Sequence, residues 1–216
     1  MKLYYNPVSS YCQKALIAFH EKGATFEPEI VDLSSEEARK KYRDDIYPIG
    51  KVPLLILDDG RFVPESSIII EYLDTYFDSG PRLIPEDKEE GRKVRFRDRM
   101  IDLYLMDSIV SLLFQDWKPE DQRDPDLIEK MQHRAAVLYG YMEHDLEGKT
   151  WISGDEFTLA DCAAAPALFY AQTVFGFDDC KNLCAYWERL SNRESWKKVH
   201  AEAAPVLEQM MAATQG

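Results

Sequence analysis

Apolar and polar positions alternate with two different periods along the first 78 residues of the chain. Lys2–Tyr5 has the short apolar pattern of a strand, and the helical spacing over residues 10–22 ends at Gly23, a residue type that favours the left-handed end of a helix. Further strands are predicted over residues 25–31, 53–57 and 61–63, and further helices after Ser34-Ser35 and over residues 66–77. The predicted order is therefore βαβ-α-ββ-α, with Pro28 placing the second strand at a sheet edge.

The remaining residues show helical spacing only. A polar, proline-containing connection covers residues 79–90, and one long helix is predicted from about residue 86 to residue 117. Asp124 before Pro125 has the residue types of a helix start, and Thr158 with Asp161 has those of a capping box that opens an apolar core helix. Shorter helices are predicted near residues 179–191 and 193–212. The pattern predicts an α/β domain over residues 1–78, a linker over 79–90 and an all-α domain over 91–216.

Composition and charge narrow the possible partners. The 216 residues are 45% hydrophobic and carry 26 Lys and Arg against 39 Asp and Glu, a formal net charge of −13. Such an excess of negative charge repels the phosphates of nucleic acids and anionic membranes, so neither is expected as a main partner. No apolar run approaches the ~20 residues that cross a bilayer, and the N-terminus has no apolar core of a secretory signal. We therefore expect a cytoplasmic protein.

The cysteines and histidines are too dispersed for a metal site or a disulfide framework. No CxxC pair and no HExxH motif occurs among them: Cys12, Cys162, Cys180 and Cys184, with His20, His133, His144 and His200. We expect no metal cofactor, and cysteines that are mostly buried thiols.

Three short segments of the first domain have residue types suited to binding and chemistry. The first lies between the first strand and the first helix, where Ser9 and Ser10 precede Cys12. Free N–H groups and the positive end of the helix dipole lie at such a turn, and a serine hydroxyl there can donate to a thiolate. Either serine also suits the simpler role of a helix N-cap, which this segment taken alone favours.

The second segment is Lys51-Val52-Pro53, which enters a predicted strand. Proline at a strand start indicates a sheet edge, often with a cis bond at a tight bend. Such a bend would expose the backbone N–H and C=O of Val52 to a peptide-like ligand, and Lys51 could meet a carboxylate. The alternative is an ordinary loop proline with a trans bond, beside a solvated lysine.

The third segment is Glu65-Ser66, at the predicted start of the next helix. The N–H and hydroxyl of Ser66 suit a carboxylate, and the Glu65 side chain suits an ammonium group. These two groups side by side would recognise the head group of an α-amino acid. The alternative is a helix cap beside a solvated glutamate.

Taken in this order, the segments resemble those of the cytosolic glutathione transferase family. The resemblance is to its serine-type members, of the bacterial, theta or zeta kind. Residues 5–12, YNPVSSYC, resemble the first strand-to-helix turn of that family, and residues 50–53, GKVP, resemble its cis-proline strand. Glu65-Ser66 resembles its γ-glutamyl clamp, and residues 157–161, FTLAD, resemble the capping box of its core helix. The four motifs span residues 5–161 in family order.

The resemblance implies a thioredoxin-like domain that binds glutathione as a co-substrate, followed by a helical domain that shapes the electrophile pocket. Val52 with Pro53 would pair with the cysteinyl backbone, and Lys51 would meet the glycyl carboxylate. Glu65 with Ser66 would hold the γ-glutamyl end. The resemblance also implies a homodimer and a role in detoxification.

The hydroxyl that stabilises the thiolate has more than one candidate. The S-x-x-C spacing of Ser9 and Cys12 resembles the serine-type pattern and selects Ser9 as the catalytic residue. Tyr5 stands where tyrosine-type members have their hydroxyl, and Ser10 is third, as a helix cap or a second glutathione contact. With serine in place of the nucleophilic cysteine of glutaredoxins, thiol–disulfide exchange lacks its attacking thiolate, so conjugation is the expected reaction.

For the electrophile pocket we expect Tyr104 and Ser108 from the long helix and Tyr170 from the end of the core helix. The expected function is a glutathione transferase that conjugates small hydrophobic electrophiles. The sequence leaves open a glutathione-dependent dehalogenase or isomerase, and a non-catalytic binding protein of the same fold.

Two charged stripes at helical spacing provide a further hypothesis. They pair between the subunits of the implied dimer, or both face solvent. The acidic stripe is on the last helix of the first domain and the basic stripe is on the long helix: Glu71, Asp74 and Asp78; Arg92, Arg95 and Arg99.

Overall fold

The computed structural model describes residues 1–214, and its first half contains one sheet. Four strands, β1 (Lys2–Tyr5), β2 (Glu27–Ile30), β3 (Leu54–Ile56) and β4 (Phe62–Pro64), lie in the order β2-β1-β3-β4. β1 runs parallel to β2 and antiparallel to β3, and β3 is antiparallel to β4. The sheet is therefore mixed, and β2 lies at its edge, where Pro28 is tolerated without an N–H to donate.

Helices make up the rest of the fold. α1 (Ser10–Glu21), α2 (Glu36–Asp45) and α3 (Ser66–Tyr76) complete the first half. The second half contains α4 (Lys88–Met100), α5 (Asp107–Asp116), α6 (Pro125–Asp145), α7 (Leu159–Val174), α8 (Lys181–Ser191) and α9 (Glu194–Thr214). Among residues 1–214, no helix combines the length and apolar character needed to span a membrane. A thioredoxin-like α/β half followed by a helical half is the predicted fold class, which is confirmed.

α1 is shared by the cores of both halves. It packs against α3 of its own half and against α7 and α9 of the helical half. All its residues from Cys12 to Phe19 are buried, because the helix meets protein on every face over that stretch. The two halves therefore share one continuous apolar core.

A buried ion cluster lies within this shared core. The Nζ of Lys14 on α1 is 2.6 Å from Asp98 Oδ1 and 2.6 Å from Asp102 Oδ2, and it donates to Ser67 Oγ at 2.8 Å. Burial lowers the pKa of Lys14, but attraction to Asp102 and Asp98 outweighs it, so the net effect raises that pKa. Burial raises the pKa of Asp102. The cluster ties α1 and α3 to the helical half.

The single long helix predicted over residues 86–117 is present from Lys88 to Asp116, but it is not α-helical throughout. α4 and α5 are joined by a π-helical segment, Ile101–Met106, after which the Asp107 N–H bonds to the Asp102 C=O five residues back. A π turn holds one residue more than an α turn. It therefore rotates the faces of α5 relative to the faces of α4.

The predicted capping box opens α7. The N–H and Oγ1 of Thr158 donate to Asp161 Oδ2 at 2.7 and 2.8 Å. Asp161 Oδ1 accepts from the Ile152 N–H at 3.0 Å and from the Tyr186 hydroxyl at 2.6 Å. The fully buried Asp161 carboxyl therefore has partners for both oxygens, which a buried carboxylate requires.

The connection between α3 and α4 is held against the first half by Asp74. Its carboxylate accepts from the N–H groups of Leu83 and Ile84, at 2.8 and 3.0 Å, and from Lys22 Nζ at 3.2 Å. The Leu83 C=O in turn accepts from the N–H of Leu159 at the start of α7. The linker is thus hydrogen-bonded to both halves.

The two charged stripes are used within one chain. Arg95 donates to both oxygens of Glu71, at 2.8 and 3.1 Å, and Arg92 pairs with Glu89 on its own helix. Asp74 is buried in the linker contacts. The acidic residues therefore form no continuous exposed face, and pairing of the charged stripes between subunits stays a prediction.

Candidate active site

A cavity of about 470 Å³ lies between the two halves of the chain. The first half supplies Tyr11, Tyr47, Lys51, Val52, Pro53, Glu65 and Ser66. The helical half supplies Asp107, Val110, Ser111 and Phe114, all from α5. The second and third candidate segments of the sequence therefore meet in one cavity.

The bend before β3 presents backbone groups to this cavity. The Val52–Pro53 peptide bond is cis, and Pro53 is buried while Val52 lies on the wall. The Tyr42 hydroxyl donates to the Lys51 C=O at 3.1 Å and holds the chain there. Within residues 1–214, no backbone group pairs with the N–H or C=O of Val52. An extended ligand can take up both groups, as an added strand does.

Glu65 has an unusual backbone conformation at the start of α3. Its φ is 70°, a region that L-residues rarely occupy, at a cost of about 1–3 kcal/mol. Its C=O accepts from the Ile69 N–H at 2.9 Å as the first bond of the helix, and Ser66 follows as the first helical residue. Positions of this kind cluster at ligand sites. Here the conformation brings the N-terminus of α3 to the cavity wall.

The turn between β1 and α1 is held by hydrogen bonds from its own residues. The Asn6 side chain accepts from the Val8 N–H at 3.1 Å and donates to the Val31 C=O at 3.0 Å. The Ser9 N–H donates to the Asn6 C=O at 3.0 Å. Ser9 is the N-cap residue of α1, but its side chain accepts no helix N–H. The hydroxyl of Ser9 is therefore not used for capping, which was the simpler role that the sequence favoured.

Ser9, Ser10 and Cys12 differ in their surroundings. Ser9 is half-buried, while Ser10 is buried as the first residue of α1, and neither lines the cavity. Cys12 is completely buried, and this burial raises the pKa of its thiol to about 12, although hydrogen bonds from Ser9 and from the Asn6 N–H lower it. Cys12 therefore remains a protonated thiol near neutral pH.

Tyr5, the alternative source of a catalytic hydroxyl, is bonded elsewhere. Its hydroxyl donates to Glu202 on α9, and its ring packs edge-on against Phe26 with centroids 5.9 Å apart. Burial, followed by the bond to Glu202, raises the pKa of Tyr5. Only 4% of Tyr5 is exposed, and it does not line the cavity. Its contacts are those of a residue between the sheet and the last helix.

None of the three residues expected in the electrophile pocket lies on the cavity wall. Tyr104 is exposed beneath the guanidinium of Arg134, which stands 4.9 Å from its ring centroid. Ser108 is fully buried and donates to the Tyr104 C=O at 2.6 Å. Tyr170 is buried between the halves, where its hydroxyl donates to the Val8 C=O at 2.6 Å.

Sequence reasoning misses the residues that α5 does contribute. Asp107, Val110, Ser111 and Phe114 recur at the i, i+3, i+4, i+7 spacing of one helix face. The spacing is visible in the sequence, but the face that turns inward depends on the phase set by the π-helical segment. Tyr11 is also absent from the expected set, although it adjoins the Ser9 motif; its hydroxyl donates to the Asp102 C=O at 3.2 Å.

The cavity carries charges of both signs. Lys51 lies beside the cis-proline bend, Glu65 at the start of α3 and Asp107 on α5. The N–H groups at the starts of α1 and α3 add positive potential. Such a wall suits a peptide-like ligand with carboxylates and an ammonium group. Among the described residues, no group of three or more His, Cys, Asp and Glu side chains is arranged to hold a metal ion.

Comparison with known protein families gives a match in each half of the chain. Residues 3–82 match the family described as glutathione S-transferase, N-terminal domain. Residues 105–194 match the family described as glutathione S-transferase, C-terminal domain. The cavity lies between these two matched segments.

Individual relatives can be aligned with nearly the whole chain. Glutathione S-transferase F10 of Arabidopsis thaliana is 29% identical over 209 residues, which cover 92% of this chain and 95% of that protein. A glutathione S-transferase from Methylobacillus flagellatus, solved with glutathione bound, superposes with a TM-score of 0.81 at 29% identity, over 92% of this chain and 98% of that one. Poplar glutathione transferase F1 superposes with a TM-score of 0.83 at 27% identity, over 94% and 98% of the two chains.

Proposed function

Because the chain belongs to the glutathione transferase family, we propose that Ser9 is the group that holds its substrate thiol as the thiolate. The protein is a glutathione transferase, and glutathione is its co-substrate. The observation that carries the proposal is the hydroxyl of Ser9 at the N-terminus of α1, unused for helix capping. Tyr5, the competing candidate, already donates to Glu202 outside the cavity.

The residues on the cavity wall give each part of glutathione a partner. The backbone of Val52 pairs with that of the cysteinyl residue, and Lys51 meets the glycyl carboxylate. The N–H and hydroxyl of Ser66 hold the γ-glutamyl carboxylate, and Glu65 holds its ammonium group. The cis bend and the positive φ of Glu65 support this assignment, because both present polar groups to one cavity. Two anchored ends leave the thiol directed at the first turn of α1.

The interactions that this arrangement offers the thiolate are modest in free energy but large enough to lower the pKa of the thiol. A free thiol with a pKa of ~8.5 is only a few per cent thiolate at pH 7, and each unit of depression corresponds to about 1.36 kcal/mol. A hydrogen bond from Ser9 to the charged sulfur contributes about 1.5–3 kcal/mol, and the dipole of α1 adds about 0.3–1 kcal/mol. The hydroxyl of Ser9 is bonded to Cys12 in this structure, so to donate to the substrate sulfur its side chain must change rotamer.

The reaction itself is nucleophilic attack by the bound thiolate. Its sulfur lone pair forms a C–S bond with the electrophilic carbon. In a substitution reaction, the leaving group departs with its bonding pair. In an addition reaction, the carbon next to the attacked one takes a proton from solvent. Val110 and Phe114 on α5 offer apolar contact for the electrophile. A small, largely hydrophobic electrophile is the proposed second substrate.

A homodimer and a cytoplasmic location complete the proposal. Large apolar side chains are exposed on both halves, on β4 and α3 of the first and on α4 and the π-helical segment of the second: Phe62, Ile68 and Tyr76; Phe96 and Leu103. Contiguous apolar surface marks interaction sites, and we propose that these residues contribute to the interface between subunits. The four cysteines are free thiols, which suits a reducing compartment.

The thiol pKa of the bound glutathione tests the role of Ser9. We would follow thiolate absorbance against pH in the complex of wild type, Ser9→Ala and Tyr5→Phe. The expected result is a depressed pKa in wild type and Tyr5→Phe, which returns toward the free value in Ser9→Ala. Loss of the depression in Tyr5→Phe alone would assign the chemistry to that tyrosine. No depression in any variant would refute thiolate stabilisation by either hydroxyl.

The dimer is tested separately by sedimentation equilibrium. Ile68→Glu should yield monomers because it puts a charge into the proposed interface, while Val137→Glu, at an exposed aliphatic position of α6, should sediment as wild type does. A monomeric wild-type protein, or an unchanged dimer in Ile68→Glu, would contradict this interface.

A further inference from the structure

Tyr170 reaches from the helical half to the turn that carries Ser9. Its hydroxyl donates to the Val8 C=O at 2.6 Å and accepts from Gln13 Nε2 at 3.1 Å. Gln13 Nε2 also donates to the Pro7 C=O at 3.0 Å. Tyr170 and Gln13 are both buried, so these bonds form away from water, where their loss is costly. Two successive carbonyls of the turn are therefore fixed by one small network.

The contact with Val8 acts on the peptide group that precedes Ser9. The C=O of this group accepts from Tyr170, and its N–H, which belongs to Ser9, donates to the Asn6 C=O at 3.0 Å. A planar peptide group bonded at both ends cannot rotate about its neighbouring backbone bonds without breaking one of the two bonds. Its orientation sets where the Cα–Cβ bond of Ser9 points.

We propose that Tyr170 is a positioning residue for the thiolate-stabilising hydroxyl of Ser9. This inference rests on the proposed role of Ser9 and extends it to the helical half. Tyr170 makes no contact with the cavity; it acts on the substrate sulfur only through the turn. The second half of the chain thereby takes part in activating glutathione as well as in walling the electrophile site.

The test is the thiol pKa of bound glutathione in Tyr170→Phe, which keeps the ring and removes the hydroxyl. We expect a rise of about half a unit, which corresponds to about threefold less thiolate below the pKa. The rate of conjugation at pH 6.5 should fall by a similar factor. The KM for glutathione should stay near wild type, since the residues that hold its two ends are unchanged.

Tyr139→Phe is the matched control. The Tyr139 hydroxyl also donates to a backbone C=O, that of Phe175, at 2.6 Å, and its side chain is equally buried. Both variants lose one buried bond from a tyrosine hydroxyl to a backbone C=O, so both should lose thermal stability. Tyr170→Phe also removes one of the two acceptors of Gln13 Nε2, which keeps its bond to the Pro7 C=O. The thiol pKa should move only in Tyr170→Phe.

The double variant Ser9→Ala with Tyr170→Phe separates the two hypotheses. If Tyr170 acts through Ser9, its substitution should change the thiol pKa no further once the hydroxyl of Ser9 is gone. A thiol pKa that rises in Ser9→Ala but not in Tyr170→Phe would overturn the positioning role alone. An additional rise in the double variant would also overturn it. A pKa unaffected by Ser9→Ala would overturn both proposals together.

Discussion

Replacement of Lys14 by methionine tests what holds the two halves together. Methionine keeps most of the length and the apolar stem of lysine, but it leaves the carboxylates of Asp98 and Asp102 buried without their cation. Lys14 is 0% exposed, and each of the two carboxylates has an oxygen 2.6 Å from its Nζ. Breaking a buried ion pair by removing one partner costs about 3–5 kcal/mol. We expect a loss of that size in the free energy of unfolding at pH 8.

The loss should shrink as the pH falls. Burial already raises the pKa of Asp102 in the wild type, and the attraction of Lys14 opposes that rise. Without Lys14 the folded-state pKa rises further above its unfolded value, so the folded variant binds a proton more tightly than the unfolded chain does. Its stability therefore increases as the pH falls through the folded pKa. At about 1.36 kcal/mol per unit, we expect the destabilisation at pH 5 to be about 1–3 kcal/mol smaller than at pH 8.

The assay is urea unfolding followed by circular dichroism at pH 5 and pH 8. All samples need one protein concentration, because association would make the apparent stability depend on it. Lys197→Met is the control, since Lys197 pairs with Glu194 at the surface, and it should change stability by less than ~0.5 kcal/mol. Adding Asp98→Asn and Asp102→Asn to Lys14→Met should recover part of the loss. A change below about 1 kcal/mol at pH 8, or an equal loss at both pH values, would refute this reasoning.

Three further predictions concern single side chains. Asp161→Ala should lower the free energy of unfolding by about 3 kcal/mol or more, because it leaves several buried donors unpaired; urea unfolding measures it, and Asp155→Ala in the exposed preceding loop should have little effect. Ser66→Ala should raise the KM for glutathione about tenfold, while Ser67→Ala, which removes a member of the buried ion cluster, should lower stability and leave KM unchanged; equal effects on KM would be inconsistent with the site. Cys12→Ala should retain conjugation within about twofold in steady-state assays, since burial keeps its thiol protonated; a tenfold loss would assign it a chemical role.

Short-range signals account for most of what the sequence predicts correctly. The cap of Asp124 on α6 and the box of Thr158 with Asp161 on α7 are rules that operate within four residues, and both are present in the structure. Lys51-Val52-Pro53 is a local pattern of the same kind, and its cis bond is present. Such features are encoded where they act, so reading them requires no knowledge of the fold.

Features that depend on distant residues are not visible in the same way. Lys14 lies in an apolar helical pattern, and the sequence around it does not reveal its partner, because Asp102 is 88 residues away. The π-helical segment changes the phase of α5 without interrupting the apolar pattern. The sequence therefore suggests that Ser108 faces the electrophile pocket, whereas Ser108 is fully buried and does not line the cavity. Tyr170 is of a residue type that is common in ligand pockets, and its 2.6 Å bond to the Val8 C=O is visible only in the structure.

The packing of α1 against both halves has a consequence during synthesis. α1 is complete at Glu21, but α7, one of the helices that covers it, ends at Val174, about 150 residues later. At ~5–20 residues per second, this apolar helix remains without that cover for roughly 8–30 s on the ribosome. The first half therefore cannot reach its final packing while it emerges, and we expect its nascent chain to bind chaperones that hold exposed apolar segments until the last helices are released.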